Sequence, residues 1–147
     1  GVNSRLDEIQ AALLRTKLTH LPALTEERRE IAAQYLAGIK NEHILLPRIR
    51  ERAEHVYHQF VVRTSSRDHF KAYLHAHGIE TVIHYPIPPH LAECYAYLGH
   101  THGSFPRAEQ YADEVLSLPI FNGMRTDEIA YVIDTVNAYH TFTAQCV

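Results

Sequence analysis

The 147-residue sequence has no tryptophan, two cysteines and six glycines, and no apolar run near the ~20 residues a membrane helix needs. Each shortage excludes something. Cys94 and Cys146 are too few for a disulfide framework or a cysteine zinc site, and a reducing, cytoplasmic setting is expected. Six glycines and seven prolines exclude collagen-like and low-complexity classes. Fourteen Lys and Arg against 17 Asp and Glu give a net charge of −3, without the basic footprint of a nucleic-acid binder. No nucleic acid and no membrane are therefore expected as partners. Arg5, Asp7 and Glu8 interrupt any apolar region that could read as a signal peptide. A glycine-rich phosphate loop, a nucleophile elbow and an HExxH pair are also absent.

What is present suits one soluble domain, since 46% of residues are apolar and 21% charged at a length close to the usual ~150 residues. Twelve histidines and nine tyrosines stand out, as does an opening on Gly1 with no methionine. Residues 4 to about 40 read as helix, capped by Ser4. Leu6, Ile9 and Leu13 form one ridge, Leu14, Leu18 and Leu21 a second, and Ile31, Tyr35 and Ile39 a third. Pro22 predicts a kink or break near Leu21, and the charged run 25–30 reads as a solvated face. The residues 41–54 read as loop, 56–63 as strand, and Ser66 opens a short helix stopped by Gly78. A second strand is expected over 79–85, ended by Pro86, Pro88 and Pro89. Helices follow over 91–98 and from Pro106, where Ala108, Ala112, Val115 and Leu116 should face inward. Leu118-Pro119-Ile120 reads as a short edge strand, and Thr126 caps a last helix with core face Ile129, Val132, Ile133 and Val136. The expected fold is α+β: a small antiparallel or mixed sheet covered on one face by helices.

The histidines invite a metal reading, but their spacings oppose it. His55 and His58 would point to opposite faces of a strand, and His75 and His77 splay on a helix. His100 and His102, in a glycine-flanked loop, read as solvated, and no metal site is expected. Asn3 precedes the expected helix start, where backbone N–H groups attract anions. Arg5, one step inside, opposes the helix dipole unless an anion such as a phosphate sits there; the alternative is that Asn3 and Ser4 are cap residues only. His84 and Tyr85 stand where a strand meets a stiff proline turn, suited to holding them toward a substrate or partner, or simply to packing an aromatic below a rigid turn.

Several segments in register resemble one family. The opening Gly1-Val2-Asn3-Ser4-Arg5-Leu6-Asp7-Glu8-Ile9-Gln10-Ala11-Ala12 resembles the start of the small domain of the DegT/DnrJ/EryC1/StrS aminotransferases, pyridoxal-phosphate enzymes acting on sugars. His55-Val56-Tyr57-His58-Gln59-Phe60-Val61-Val62-Arg63, then Ile83-His84-Tyr85-Pro86, Phe105-Pro106 and Leu116-Ser117-Leu118-Pro119-Ile120 follow in the family's order, so the likeness runs from Gly1 to about Ala138. The resemblance implies that residues 1–147 are the small C-terminal domain of a fold-type I aminotransferase, with a long kinked first helix. It also implies that the large domain, carrying the Schiff-base lysine, lies outside this chain.

Lys17, Lys40 and Lys71 match no family lysine motif, so this chain holds no catalytic residue and is expected to be inactive alone. By the same resemblance, Asn3 reaches the cofactor phosphate of a neighbouring subunit, Arg5 lies near the phosphates of the nucleotide-sugar, and His84 and Tyr85 face the sugar. The implied partners are the chain's own large domain, a second identical subunit, the nucleotide-sugar and an amino donor such as glutamate. The His-Tyr-Pro-Ile-Pro-Pro-His form looks most like members acting on thymidine-diphosphate keto-sugars, with 3-keto substrates favoured. Two other readings stay open: a stand-alone binding or dimerisation module of the same fold, and a dehydratase or regulatory homologue.

Overall fold

Residues 5–51 and 53–140 are described in the computed structural model. Its longest element is helix α1, Glu8–Gly38, entered from Asp7 rather than from Ser4. The helix runs unbroken through Pro22, so the break expected there does not occur. The surroundings of Pro22 are exposed, so the carbonyl that loses its donor remains open to water, and no buried polar group is orphaned.

Only the second part of α1 is packed. Ile31, Ala32 and Tyr35, with Ile39 just beyond, are buried, as their four-residue spacing requires. The run at 25–30 is not the solvated face its charges suggest. Arg28 donates from Nε to the Asn122 side-chain oxygen at 3.1 Å, and from its terminal nitrogen to the carbonyls of Tyr57 and Ile120 at 3.3 and 3.2 Å. Glu27 accepts from the Asn122 amide at 2.7 Å and from the Gly123 N–H at 2.6 Å. These long side chains bury their stems and carry their polar ends to loop backbone that has no ladder partner.

The sheet is smaller than expected. Strand β1, Phe60–Arg63, pairs antiparallel with β2, Val115–Leu118, in the register Phe60↔Leu118 and Val62↔Leu116. Single antiparallel bridges extend it on both sides: Leu45 to Arg63, and Val82 to Ser117. The strand expected over 79–85 is thus reduced to one bridge, because the chain bends at His84 before a ladder can form. Likewise the expected strand at 118–120 lies at 115–118, with Pro119, which has no N–H to donate, falling just outside. His55 and His58 lie in irregular chain before β1: Tyr57 adopts φ 46°, and its N–H donates to His55 Nδ1 at 2.9 Å.

Helices α2, Arg67–Ala76, and α4, Thr126–Ala138, cover the same face of the sheet as α1. Phe60, Val62, Leu116 and Leu118 point into this layer, where Tyr35, Phe70, Leu74, Val136 and Tyr139 are fully buried. Tyr35 meets Phe60 edge-on at 5.0 Å, and its hydroxyl donates to the Pro119 carbonyl at 2.8 Å. Gly38 lets α1 approach α4; a Cβ there would lie 2.8 Å from Ile133 Cδ1. Helix α4 is entered from Arg125, whose N–H donates to the Glu128 carboxylate at 2.8 Å. All four residues of β2 are buried, because its second face is covered by the chain from Val82 to helix α3, Pro106–Glu114. Within that excursion the expected helix at 91–98 is two 3-10 turns, Pro89–Leu91 and Glu93–Leu98, closed by Gly99 at φ 71°. Ala108, expected inside, is exposed, whereas Ala112 is buried.

Candidate functional site

The edge of the sheet beyond β2 carries the His84-Tyr85 turn. The N–H of Ser117 donates to the Val82 carbonyl at 2.8 Å, fixing the passing chain against β2. Two residues later the half-buried His84 turns its ring back, with Nδ1 2.9 Å from Ser117 Oγ. Nε2 is then the ring nitrogen left to meet a ligand. Tyr85, joined to His84 through a cis peptide, stands edge-on to the imidazole at 5.4 Å and is 71% exposed. Buried Pro88 anchors the following turn. His84 borders two small cavities. One, of about 170 Å³, it shares with His58, Gln59 and Glu80; the other, of about 210 Å³, it shares with Tyr85 and Tyr111.

The remaining expected site residues are not gathered there. Asn3 lies outside the described residues. Arg5 is exposed and lies in irregular chain ahead of Asp7, so it does not sit in the first helical turn and the dipole argument for it fails. The 16 helical steps from Glu8 to Leu24 carry this end about 24 Å along the helix axis from the part-buried Leu24 and Thr25. Lys17, Lys40 and Lys71 are all exposed, and no lysine lines any of the five cavities described. These residues do not fit the covalent site of pyridoxal phosphate, which needs a lysine held in a pocket. Among the described residues no group of three or more His, Cys, Asp or Glu side chains is placed to hold a metal ion.

A second cluster, which the sequence reading left as solvated loop, lies behind the proline turn. Glu109, on the first turn of α3, is only 6% exposed. It accepts from His90 Nε2 at 2.9 Å, from the N–H groups of Gly103 at 2.8 Å and Phe105 at 3.1 Å, and pairs with His102 Nδ1 at 2.8 Å. Burial works to raise its pKa, but the Gly103 and Phe105 N–H groups, the His90 hydrogen bond and the nearby His102 outweigh it and hold the carboxyl at about 2. The sequence signal was an acid in the first turn of a proline-started helix, where it can reach back to free N–H groups.

The profile of the DegT/DnrJ/EryC1/StrS aminotransferase family matches residues 1–137. The chain belongs to this family. Among its relatives is a dTDP-3-amino-3,6-dideoxy-alpha-D-galactopyranose transaminase from Aneurinibacillus thermoaerophilus, 50% identical over 95% of this chain and 38% of its own length. The crystal structure of Streptomyces venezuelae DesV in complex with a ketimine intermediate superposes with a TM-score of 0.89 at 45% identity, covering 93% of this chain and 37% of that one. A putative sugar aminotransferase from Streptococcus pneumoniae, solved in its PLP form, gives a TM-score of 0.77 at 25% identity, covering 88% and 34%. The chain thus spans somewhat over a third of the length of these family members. The fold is that of a small α+β part of a family aminotransferase.

Proposed function

We propose that this chain is the small C-terminal domain of a pyridoxal-phosphate-dependent aminotransferase. The complete enzyme moves an amino group from glutamate or a similar donor to a thymidine-diphosphate-linked keto-sugar, for deoxyamino-sugar and cell-surface polysaccharide synthesis in the cytoplasm. It works as a homodimer, in which Asn3 holds the cofactor phosphate of the neighbouring subunit and Arg5 lies near the phosphates of the nucleotide-sugar. His84 and Tyr85 meet the sugar. The observation that carries this reading is a half-buried His84 braced by Ser117 beside an exposed Tyr85 at the sheet edge, in a chain 50% identical to a dTDP-sugar transaminase. Such a pair is suited to completing a site whose other parts lie elsewhere.

Pyridoxal phosphate would supply an electron sink for proton removal at the donor's α-carbon and would carry the amino group to the acceptor. That chemistry belongs to residues outside this chain. The chain's own part is to orient: His84, braced by Ser117, presents Nε2 at a fixed place, and Tyr85 supplies a hydroxyl and a ring face. The two exposed ridges of α1, with Ile9 and Leu13 on one and Leu18 on the other, each more than half exposed, are covered in the complete enzyme by the large domain or second subunit.

The test uses the complete protein with glutamate and a dTDP-linked 3-keto sugar. Wild-type protein should produce the amino-sugar, and His84→Ala should lower turnover per cofactor-loaded dimer by roughly tenfold while cofactor absorbance stays normal. If the turn merely packs, the variant instead loses about 1–3 kcal/mol of stability with unchanged kinetics in the folded molecules. Asn3→Ala should weaken cofactor retention roughly ten- to a hundredfold, the worth of one hydrogen bond to a charged acceptor. A wild-type protein that forms a folded dimer but never transfers an amino group would favour the non-catalytic module.

A further inference from the structure

We infer that Glu109 is a positioning residue for the sugar-facing turn: one buried carboxylate ties both ends of the 86–105 excursion to α3 and thereby sets where His84 and Tyr85 stand. This rests on the reading of that pair as sugar contacts. The geometry is specific. His90 belongs to the 3-10 turn that closes the proline segment, and it reaches Glu109 Oε1 at 2.9 Å with its side chain 8% exposed. At the other end, Gly103 and Phe105 give the same carboxylate their backbone N–H groups. The stretch from His90 to Phe105 therefore starts and finishes on one side chain. Phe105 also receives the ring of His90 edge-on at 4.9 Å, so entry and exit touch each other as well.

The carboxylate is close behind the turn. Glu109 lines a cavity of about 190 Å³ with Pro86, Ile87 and Pro88, the residues directly after Tyr85. No sheet ladder holds this stretch beyond the single bridge at Val82, so side-chain anchoring must fix it. An acceptor-only group meeting donors from four residues suits that task, because a neutral amide in its place would turn an N–H toward at least one of the donors. Removing the charge should therefore release the excursion and let the turn move, while β1, β2 and the helices keep their packing.

The experiment compares wild-type, Glu109→Gln and His90→Ala forms of the complete protein. Hydrogen exchange of the amides in 90–105 is read alongside steady-state kinetics with glutamate and a dTDP-linked 3-keto sugar. The expected result for Glu109→Gln is exchange in 90–105 faster by roughly tenfold or more with β1 and β2 unchanged, and a KM for the keto-sugar raised roughly tenfold with the glutamate KM within about twofold, as for a misplaced contact. His90→Ala, which frees only the entry, should show the same pattern more weakly; it decides the matter if Glu109→Gln does not fold. Unchanged exchange overturns the proposal, as does an equal rise in both KM values. Failure of the wild-type protein to transfer an amino group would instead sink the functional reading, and with it the role toward the sugar. The exchange comparison needs no substrate, so the two failures are told apart.

Discussion

Residues 8–22 and 24–38 lie in one helix and carry similar apolar ridges, yet they have opposite fates. In the second stretch Ile31 and Tyr35 are buried, and Glu27 and Arg28 tie the helix to the loops at 57–58 and 120–123. In the first, Ile9, Leu13 and Leu18 are 61–78% exposed, and no other element of the described chain covers them. Helical spacing says which residues share a face; it does not say what lies opposite. The exposed half leaves apolar side chains uncovered by the described chain, and the relative that this chain matches at 50% identity is more than twice its length.

Substitutions can break or sharpen that contrast. The largest effect is expected for Tyr35→Ala, which empties the centre of the core and removes the bond to Pro119, at a cost of about 3–5 kcal/mol by denaturant unfolding. Tyr35→Phe should cost only the hydrogen bond, about 0.5–1.5 kcal/mol. Arg28→Ala should follow at about 1.5–3 kcal/mol, since carbonyls and an amide oxygen lose a charged donor. If it proves neutral, the packed half is held by its apolar face alone.

The third expectation concerns pH. The Asn122 amide, followed by the Gly123 N–H, holds the Glu27 carboxyl below its ordinary 4.5. Its folded pKa is depressed, so its contribution is fully present above about pH 4.5 and is lost as pH falls through the lower folded value. Unfolding midpoints of wild type should decline over that acid range, and Glu27→Gln should flatten the decline; parallel curves would show that Glu27 has no part in it. The smallest effect belongs to the exposed half. Leu13→Ala in this chain should shift stability by no more than about 0.5 kcal/mol, whereas in the complete enzyme, once covered, it should cost about 2–5 kcal/mol. Equal small effects in both would mean that the stripe stays open to water.

Much of the architecture was legible. Ile31, Tyr35 and Ile39 announced a packed face, Gly78 a helix stop, Pro106 a helix start, and Ile129, Val132 and Val136 the core side of α4. These are local signals, set by backbone conformation and by side-chain period. The strand at 79–85 misled because a β-branched, aromatic run states a propensity for pairing, and only Val82 found a partner. At the candidate site, His84 and Tyr85 were visible from the proline turn beside them. Glu109 was not, since its donors come from positions 90, 102, 103 and 105, and no spacing rule links a carboxylate to backbone N–H groups across a loop.

By itself the sequence determined an α+β domain with a long first helix, a membership carried by motifs running from Gly1 into the last helix, and the absence of a lysine in a family motif. The first follows from composition and period, the other two from the likeness of whole motifs to a family, and the chain keeps all of these whether or not it is folded. Only the tertiary structure decided that the helix runs through Pro22, that Arg28 spends its charge on loop carbonyls, that His84 is braced by Ser117, and that Glu109 closes the excursion behind it. Each of these depends on which groups meet across tens of residues of intervening chain. Burial and hydrogen bonding at that range are settled by packing of the whole molecule and not by any local stretch.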